Sequence, residues 1–173
     1  MTAKPALWRP MTEADLPAVS ALADLIHPDY PEDDAVFAER LRLYPAGCHV
    51  LARDGTLQGY VVSHPWMDLD PPALNSLLGT LPVTASTFYI HDLALLPQAR
   101  GSGAASVIVT HLVGRARAER LPNLSLVAVN GSARFWRRQG FEAVRDRAVM
   151  DKLRGYGEDA QFMMRAVSSA REG

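Results

Sequence analysis

The chain has 173 residues, 48% hydrophobic and 21% charged, with a formal net charge of −1, which suits one domain over residues 1–173 with its core over about 6–167. The lack of a basic excess argues against nucleic acid as a partner, and no apolar run reaches the roughly 18 residues of a membrane span. The start of the chain shows no export-signal pattern, and Cys48 is the only cysteine, so neither an intrachain disulfide nor a cysteine metal cluster can form; a soluble protein of the reducing cytoplasm is expected.

In chain order, residues 6–10 read as a first strand, and Thr12-Glu13-Ala14-Asp15 is a capping-box pattern that opens a helix. Leu16, Val19, Leu22, Ala23 and Ile26 recur at helical spacing, and His27-Pro28 ends the run. A second helix over about 33–44 turns Val36, Phe37 and Leu41 inward and stops at Pro45-Ala46-Gly47. Two β runs, 49–52 and 59–63, flank Asp54-Gly55 and predict an antiparallel hairpin. Residues 66–86 hold Pro71, Pro72, Asn75, Gly79 and Pro82, which predicts a long connection with one helical turn near 74–78. Loops of that length in compact domains are often functional.

A strand over 88–96 follows, ended by Pro97, then a glycine-rich turn and a helix over 104–120 that aligns Ala105, Ile108, Leu112 and Ala116. The apolar run 124–129 suits a buried parallel strand, giving a β-α-β unit. Ser132 is placed to cap a short helix over 133–139 that Gly140 closes. Segments 141–144 and 161–167 read as closing strands, and the tail 168–173 as frayed. The expected fold class is α/β, one mixed central sheet with helices on both faces.

The strongest chemical signal is the strand–turn–helix with Gln98-Ala99-Arg100-Gly101-Ser102-Gly103-Ala104 at its bend. Glycines allow close backbone approach to an anion, and the free N–H groups and dipole of a helix N-terminus favour phosphate. A glycine-rich turn needed only for packing gives the same pattern. A dinucleotide fingerprint fails, because Ser106 stands where its third glycine belongs and Asn130 where its acidic residue belongs. A P-loop fails as well, for want of a Gly-Lys-Ser/Thr triplet.

Gln98-x-x-Gly101-x-Gly103-Ala104 resembles the coenzyme A pyrophosphate signature of the GNAT superfamily of N-acetyltransferases, and Leu93-Ala94-Leu95-x-Pro97 resembles the strand before it. Asn130-Gly131-Ser132-Ala133-Arg134-Phe135-Trp136 with Gly140-Phe141 is similar to that family's second signature, and Tyr156-Gly157-x-x-Ala160-x-x-Met163 to its close. The resemblance implies a GNAT-like fold with acetyl-CoA as cosubstrate and no metal. It implies that Leu93, Ala94 and Leu95 line the pantetheine arm and that the turn from Gln98 through Arg100, Gly101, Ser102, Gly103 and Ala104 holds the pyrophosphate. Asn130 would contact the arm, with Phe135 and Trp136 beside it. The implied partner is a small-molecule or peptide amine; a homodimer is left open. Many members carry a tyrosine four residues before the Gly-Phe pair, able to protonate the leaving thiolate. Here Trp136 stands there, and indole N–H is a very poor acid, so that role is vacant or held elsewhere, with Tyr156 a substitute on loose grounds.

Acyl transfer to an amine needs a base. An amine of pKa about 10.4 is protonated at pH 7, and removing its proton costs about 4–5 kcal/mol. His91 and Asp92 lie on the strand beside the expected thioester; strand alternation predicts that only one faces the cleft, and the residues do not say which. Structural roles for both are the bland alternative. His27 and His64 lie near the expected acceptor entrance, while His49 and His111 read as structural and Cys48 as a buried inert thiol. Arg115, Arg117, Arg120, Arg134, Arg137 and Arg138 are ordinarily solvated, although the 3′-phosphate of coenzyme A could recruit one. The acidic run Asp29, Glu32, Asp33 and Asp34 would favour a cationic acceptor. The expected activity is transfer of an acetyl group from acetyl-CoA to a primary amine by direct attack; the alternative is a non-catalytic acyl-CoA-binding or sensing domain on the same fold.

Overall fold

A computed structural model describes residues 4–168, so the expected fraying of the tail beyond Ser168 lies outside the described residues. The elements are β1 (Leu7–Pro10), α1 (Leu16–Ile26), α2 (Asp34–Leu43), β2 (Cys48–Arg53), β3 (Thr56–Trp66), β4 (Thr87–Leu95), α3 (Ala104–Ala118), β5 (Asn123–Ala128), α4 (Ala133–Arg138), β6 (Glu142–Ala143), α5 (Arg147–Lys152) and β7 (Gln161–Ala166). They build one seven-stranded mixed sheet in the order β1-β2-β3-β4-β5-β7-β6. Only β4 and β5 pair in parallel, joined through α3, and every other neighbour is antiparallel.

The capping box forms as its sequence dictates. The Thr12 N–H donates 2.8 Å to the Asp15 carboxylate, which Arg9 also grips with two nitrogens at 2.7 and 2.8 Å. A short 3-10 turn over Glu13–Asp15 then leads into α1. The predicted apolar face of α1 packs with α2 on one side of β2 and β3, where Val19, Leu22, Phe37 and Leu41 meet Val50, Tyr60 and Val62. On the other side α3 buries Ile108, Val109, Leu112, Val113 and Ala116 against Phe88, Ile90, Leu124 and Leu126. At about 1.5–3 kcal/mol for each large apolar side chain, that packing fixes where the N-terminus of α3 sits.

Four details depart from the sequence reading. Segment 74–78 holds only a turn, with Asn75 at φ 55°, and no helix. The strand over 141–144 shrinks to Glu142–Ala143, because Phe141 turns into the core at 1% exposure. Ser132 makes no side-chain cap bond, since its backbone is already helical. And α5 with the 3-10 turn Leu153–Tyr156 was not foreseen; it packs Val149, Leu153 and Tyr156 against Phe162 as a separate small cluster.

The connection 66–86 is irregular but tied down. The buried Glu39 carboxylate accepts from the N–H groups of Leu78 and Gly79 at 2.6 and 3.1 Å. Arg40 donates to Glu39 and to the Ser76 carbonyl, Tyr156 donates to the Pro72 carbonyl at 2.7 Å, and Asn75 interlocks with Glu32 and Asp33. Buried polar groups that lose such partners cost about 1–3 kcal/mol each, so this loop is held against α2 and Tyr156.

Candidate active site

β4 and β5 are bridged only at Phe88–Leu124 and Tyr89–Ser125. Beyond those pairs both strands continue unpaired with each other, to Leu95 and to Ala128, and the sheet opens as a wedge. A cavity of about 600 Å³ fills it, walled by Leu93, Ala94 and Leu95 on one side, by Leu126, Val127, Val129 and Asn130 on the other, and by Phe135 and Trp136 of α4. Its outer end is the turn at Arg100, Gly101 and Gly103, so an extended ligand bearing phosphate could lie with its charged end there and its arm between the strands.

The turn is shaped for that. Gly101 and Gly103 adopt φ of 78° and 85°, and a Cβ at either would meet nothing within 4 Å; the backbone conformation, rather than crowding, demands glycine there. Gly103 stands directly before the 15-residue α3, whose first N–H groups lack intrahelical partners. The Ser102 hydroxyl is spent within the turn, donating 2.6 Å to the Ala99 carbonyl, and Trp8 of β1 donates 2.9 Å to the Ala104 carbonyl. Contrary to the sequence expectation, Gln98, Ser102 and Ala104 do not line the cavity, and its wall at the turn is made by Ala99, Arg100, Gly101 and Gly103. Of the arginines noted above, Arg138 reaches the cavity wall, and Arg100 joins it; Arg115 is spent on Glu119 and Tyr44.

A second cavity of about 50 Å³ lies against the first, bordered by Tyr30, Glu32, Leu74, Tyr89 and Tyr156. His27, His91, Asp92, Val127 and Val129 border both cavities, and they mark the junction between the long compartment and the small one.

The expectation that only one of His91 and Asp92 faces the cleft is overturned. The register between β3 and β4 slips at this point, with Val62 opposite Asp92 and Ser63 opposite Ile90, so His91 is an extra residue in a bulge. Alternation is suspended for one step, and both side chains emerge toward the junction. Asp92 accepts a hydrogen bond from the Tyr60 hydroxyl and stands 3.1 Å from His27 Nε2. His91 Nε2 lies 2.8 Å from Glu32, while its buried Nδ1 has no partner. Two imidazole–carboxylate pairs therefore flank the junction. Burial lowers the pKa of His27, but the hydrogen bond and charge of Asp92, with Glu32 behind it, outweigh that and leave it raised; Arg100 opposes them.

Two sequence expectations are corrected. His64 borders neither cavity: it is fully buried between the rings of Trp66 and Tyr89, and burial pushes its pKa down to about 3. Tyr156 borders the small cavity, but its hydroxyl is committed to Pro72 and burial raises its pKa further, so it is a poor substitute acid. Trp136, where the resemblance leaves no acid, is a packing residue: at 6% exposure it stands in the core, edge-on to Phe135 and Phe141, and also lines the large cavity. Cys48, expected to be inert, is buried with its thiol pushed up to about 12. Tyr60 and the specific use of Glu32 escaped the sequence reading. Tyr60 sits two residues from Val62 on the same side of β3, a signal that becomes readable only with the β3–β4 register.

The acetyltransferase (GNAT) family model matches residues 11–141, more than half of the chain, and the chain belongs to that family. Among solved structures it is similar to Ard1 from Thermoplasma volcanium (TM-score 0.73, 17% identity, 96% of this chain and 100% of that one). It is also similar to the loading GNATL domain of CurA from Lyngbya majuscula (0.75, 11%, 95% and 98%) and to Arabidopsis thaliana Naa50, solved with the bisubstrate analogue CoA-Ac-MVNAL (0.69, 13%, 94% and 99%). At these identities the likeness shows the fold. Comparison with curated proteins found no match. Family membership supports acyl transfer from an acyl-CoA in general terms.

Proposed function

We propose that this protein moves an acetyl group from acetyl-CoA to a primary amine by direct attack. The observation that carries the reading is the wedge between β4 and β5, which runs from a phosphate-shaped turn to a junction of proton-accepting side chains. The pyrophosphate meets the N–H groups of the turn over 100–104, with Arg100 and Arg138 as nearby cations. The pantetheine arm lies along Leu93 to Leu95, across from Asn130. The thioester then reaches the junction, where the amine arrives from the small cavity.

A coenzyme A thiol resembles cysteine, with a pKa of about 8.5, so its thiolate departs at neutral pH at a cost of only about 2 kcal/mol. The amine's proton costs about twice that. The site's shape follows this ranking, with basic groups at the junction and Trp136 where an acid would stand. The test is acetyl-CoA consumption with a panel of small amines and of peptides bearing free amino groups. Turnover with at least one is expected. Tight coenzyme A binding without turnover on any acceptor would instead favour the non-catalytic sensing domain, for which Trp136 is the specific argument.

A further inference from the structure

We propose that His27 is the proton acceptor of the transfer, with Asp92 as the positioning residue that holds it and Tyr60 as the anchor of Asp92. This inference rests on the acyl-transfer reading above and moves the base from strand β4 to the end of α1.

His27 follows the last residue of α1, and its backbone N–H still bonds to the Ala23 carbonyl at 2.8 Å, so the ring is carried by a helix packed on the sheet. Its Nε2 lies 3.1 Å from one Asp92 oxygen, and the other accepts from the buried Tyr60 hydroxyl. A carboxylate only accepts, so it fixes the imidazole proton on Nε2 and leaves the lone pair on Nδ1. Nδ1 stands 3.4 Å from Asn130 Nδ2, a contact long enough to yield to a substrate. Asn130 lines the large cavity and His27 lines both, so the lone pair that Asn130 weakly engages stands at the junction. Asp92 has both oxygens engaged and would have to surrender a bond to take the proton itself.

His91 is the rival, since it too is paired with a carboxylate. Its side chain is only 3% exposed against 19% for His27, and its unpaired Nδ1 is shut away from solvent-sized access. The groups acting on His27 are Asp92 and Glu32, which favour its protonated form, Arg100, which opposes it, and burial, the largest opposing influence; the net effect raises its pKa. That suits a base for an amine.

An acceptor entering as ammonium loses one proton through His27 to water. In the attack the amine nitrogen bonds to the thioester carbonyl carbon while its second proton passes to His27 Nδ1. The C–S bond breaks, and the departing thiolate takes the proton from the imidazolium. The products are the amide, the free thiol and one proton in bulk water.

The experiment compares pH profiles of kcat/KM for wild type, His27→Gln, His91→Gln and Asp92→Asn, with the best amine of the panel. His27→Gln is expected to lose about 10²–10⁴-fold and the inflection on the acid side, while calorimetry finds its coenzyme A affinity unchanged. Asp92→Asn is expected to move that inflection to lower pH, because the imidazolium loses its anion. NMR titration of the histidine rings in the free protein reads the same shift without turnover. His27→Gln within threefold of wild type, an inflection lost in His91→Gln instead, or a His27 ring that titrates identically in Asp92→Asn would overturn the proposal and leave acyl transfer standing. No turnover by the wild type on any acceptor would remove the underlying reading, and this inference with it.

Discussion

At the scale of single residues, Trp136 shows how one side chain serves packing at the expense of chemistry. Its ring lies against Phe135 and Phe141 at centroid distances of 4.9 and 5.2 Å. Trp136→Ala should cost about 3–5 kcal/mol of stability, read by chemical denaturation, and weaken coenzyme A binding as the cavity wall recedes. Trp136→Tyr should gain less than about tenfold in kcat, because the thiolate leaves without much help. A hundredfold gain would show that an acid was missing and limiting.

His64 and His49 carry a second consequence at this scale. Burial depresses both, to about 3 and about 4, with His111 and Arg115 adding to the effect on His49. Below pH about 6.5 the unfolded chain binds protons at these rings that the folded chain refuses. Their contribution is therefore fully present above pH about 6.5 and is lost as pH falls toward 4 and then 3. His64→Gln should flatten the fall in stability over that window, measured by urea denaturation at several pH values. An unchanged slope would place the acid sensitivity elsewhere.

At the scale of elements, the sequence was most legible where one pattern had one physical cause. The apolar faces of α1 and α3, the Asp-Gly hairpin and the glycine turn before α3 each follow from local spacing, and each forms as read. The bulge at His91 was not legible, because a one-residue slip depends on the pairing of two strands rather than on either alone. Tyr60, Asp92 and His27 come together from β3, β4 and the end of α1 for the same reason. The α5 segment, Arg147 to Lys152, carries three charged residues in six and one short apolar run, too weak a pattern to announce a helix that packing stabilises through Val149. The prolines and glycine of connection 66–86 announce a loop, while its anchoring through Glu39 and Arg40 is hidden in a helix that reads as amphipathic.

The glycine turn supplies the prediction at this scale. Gly103→Ala should cost about 1–2 kcal/mol for a left-handed backbone position and leave coenzyme A binding measurable, since a Cβ there meets nothing within 4 Å. Gly103→Asp adds a negative charge beside the phosphate path and should abolish binding in a folded protein. The pair separates strain from electrostatics. Equal affinity in wild type and Gly103→Asp would move the phosphate site elsewhere.

At the scale of the whole molecule, the antiparallel strands β1 to β4 carry α1 and α2, and β5 to β7 carry the opposing wall. Within the sheet the two halves are joined by only two bridged residue pairs between β4 and β5, so the ligand compartment is a gap left in the middle of the sheet. A cofactor seated there would complete contacts that the strands do not make with each other. It would stabilise the fold by mass action, by about 2.7 kcal/mol at a hundred times its dissociation constant. Calorimetric titration of coenzyme A into the wild-type protein tests this most directly. Saturable binding at one site is expected, with a matching rise in melting temperature that NAD and ATP do not reproduce; no binding at millimolar coenzyme A would contradict a cofactor site in the wedge.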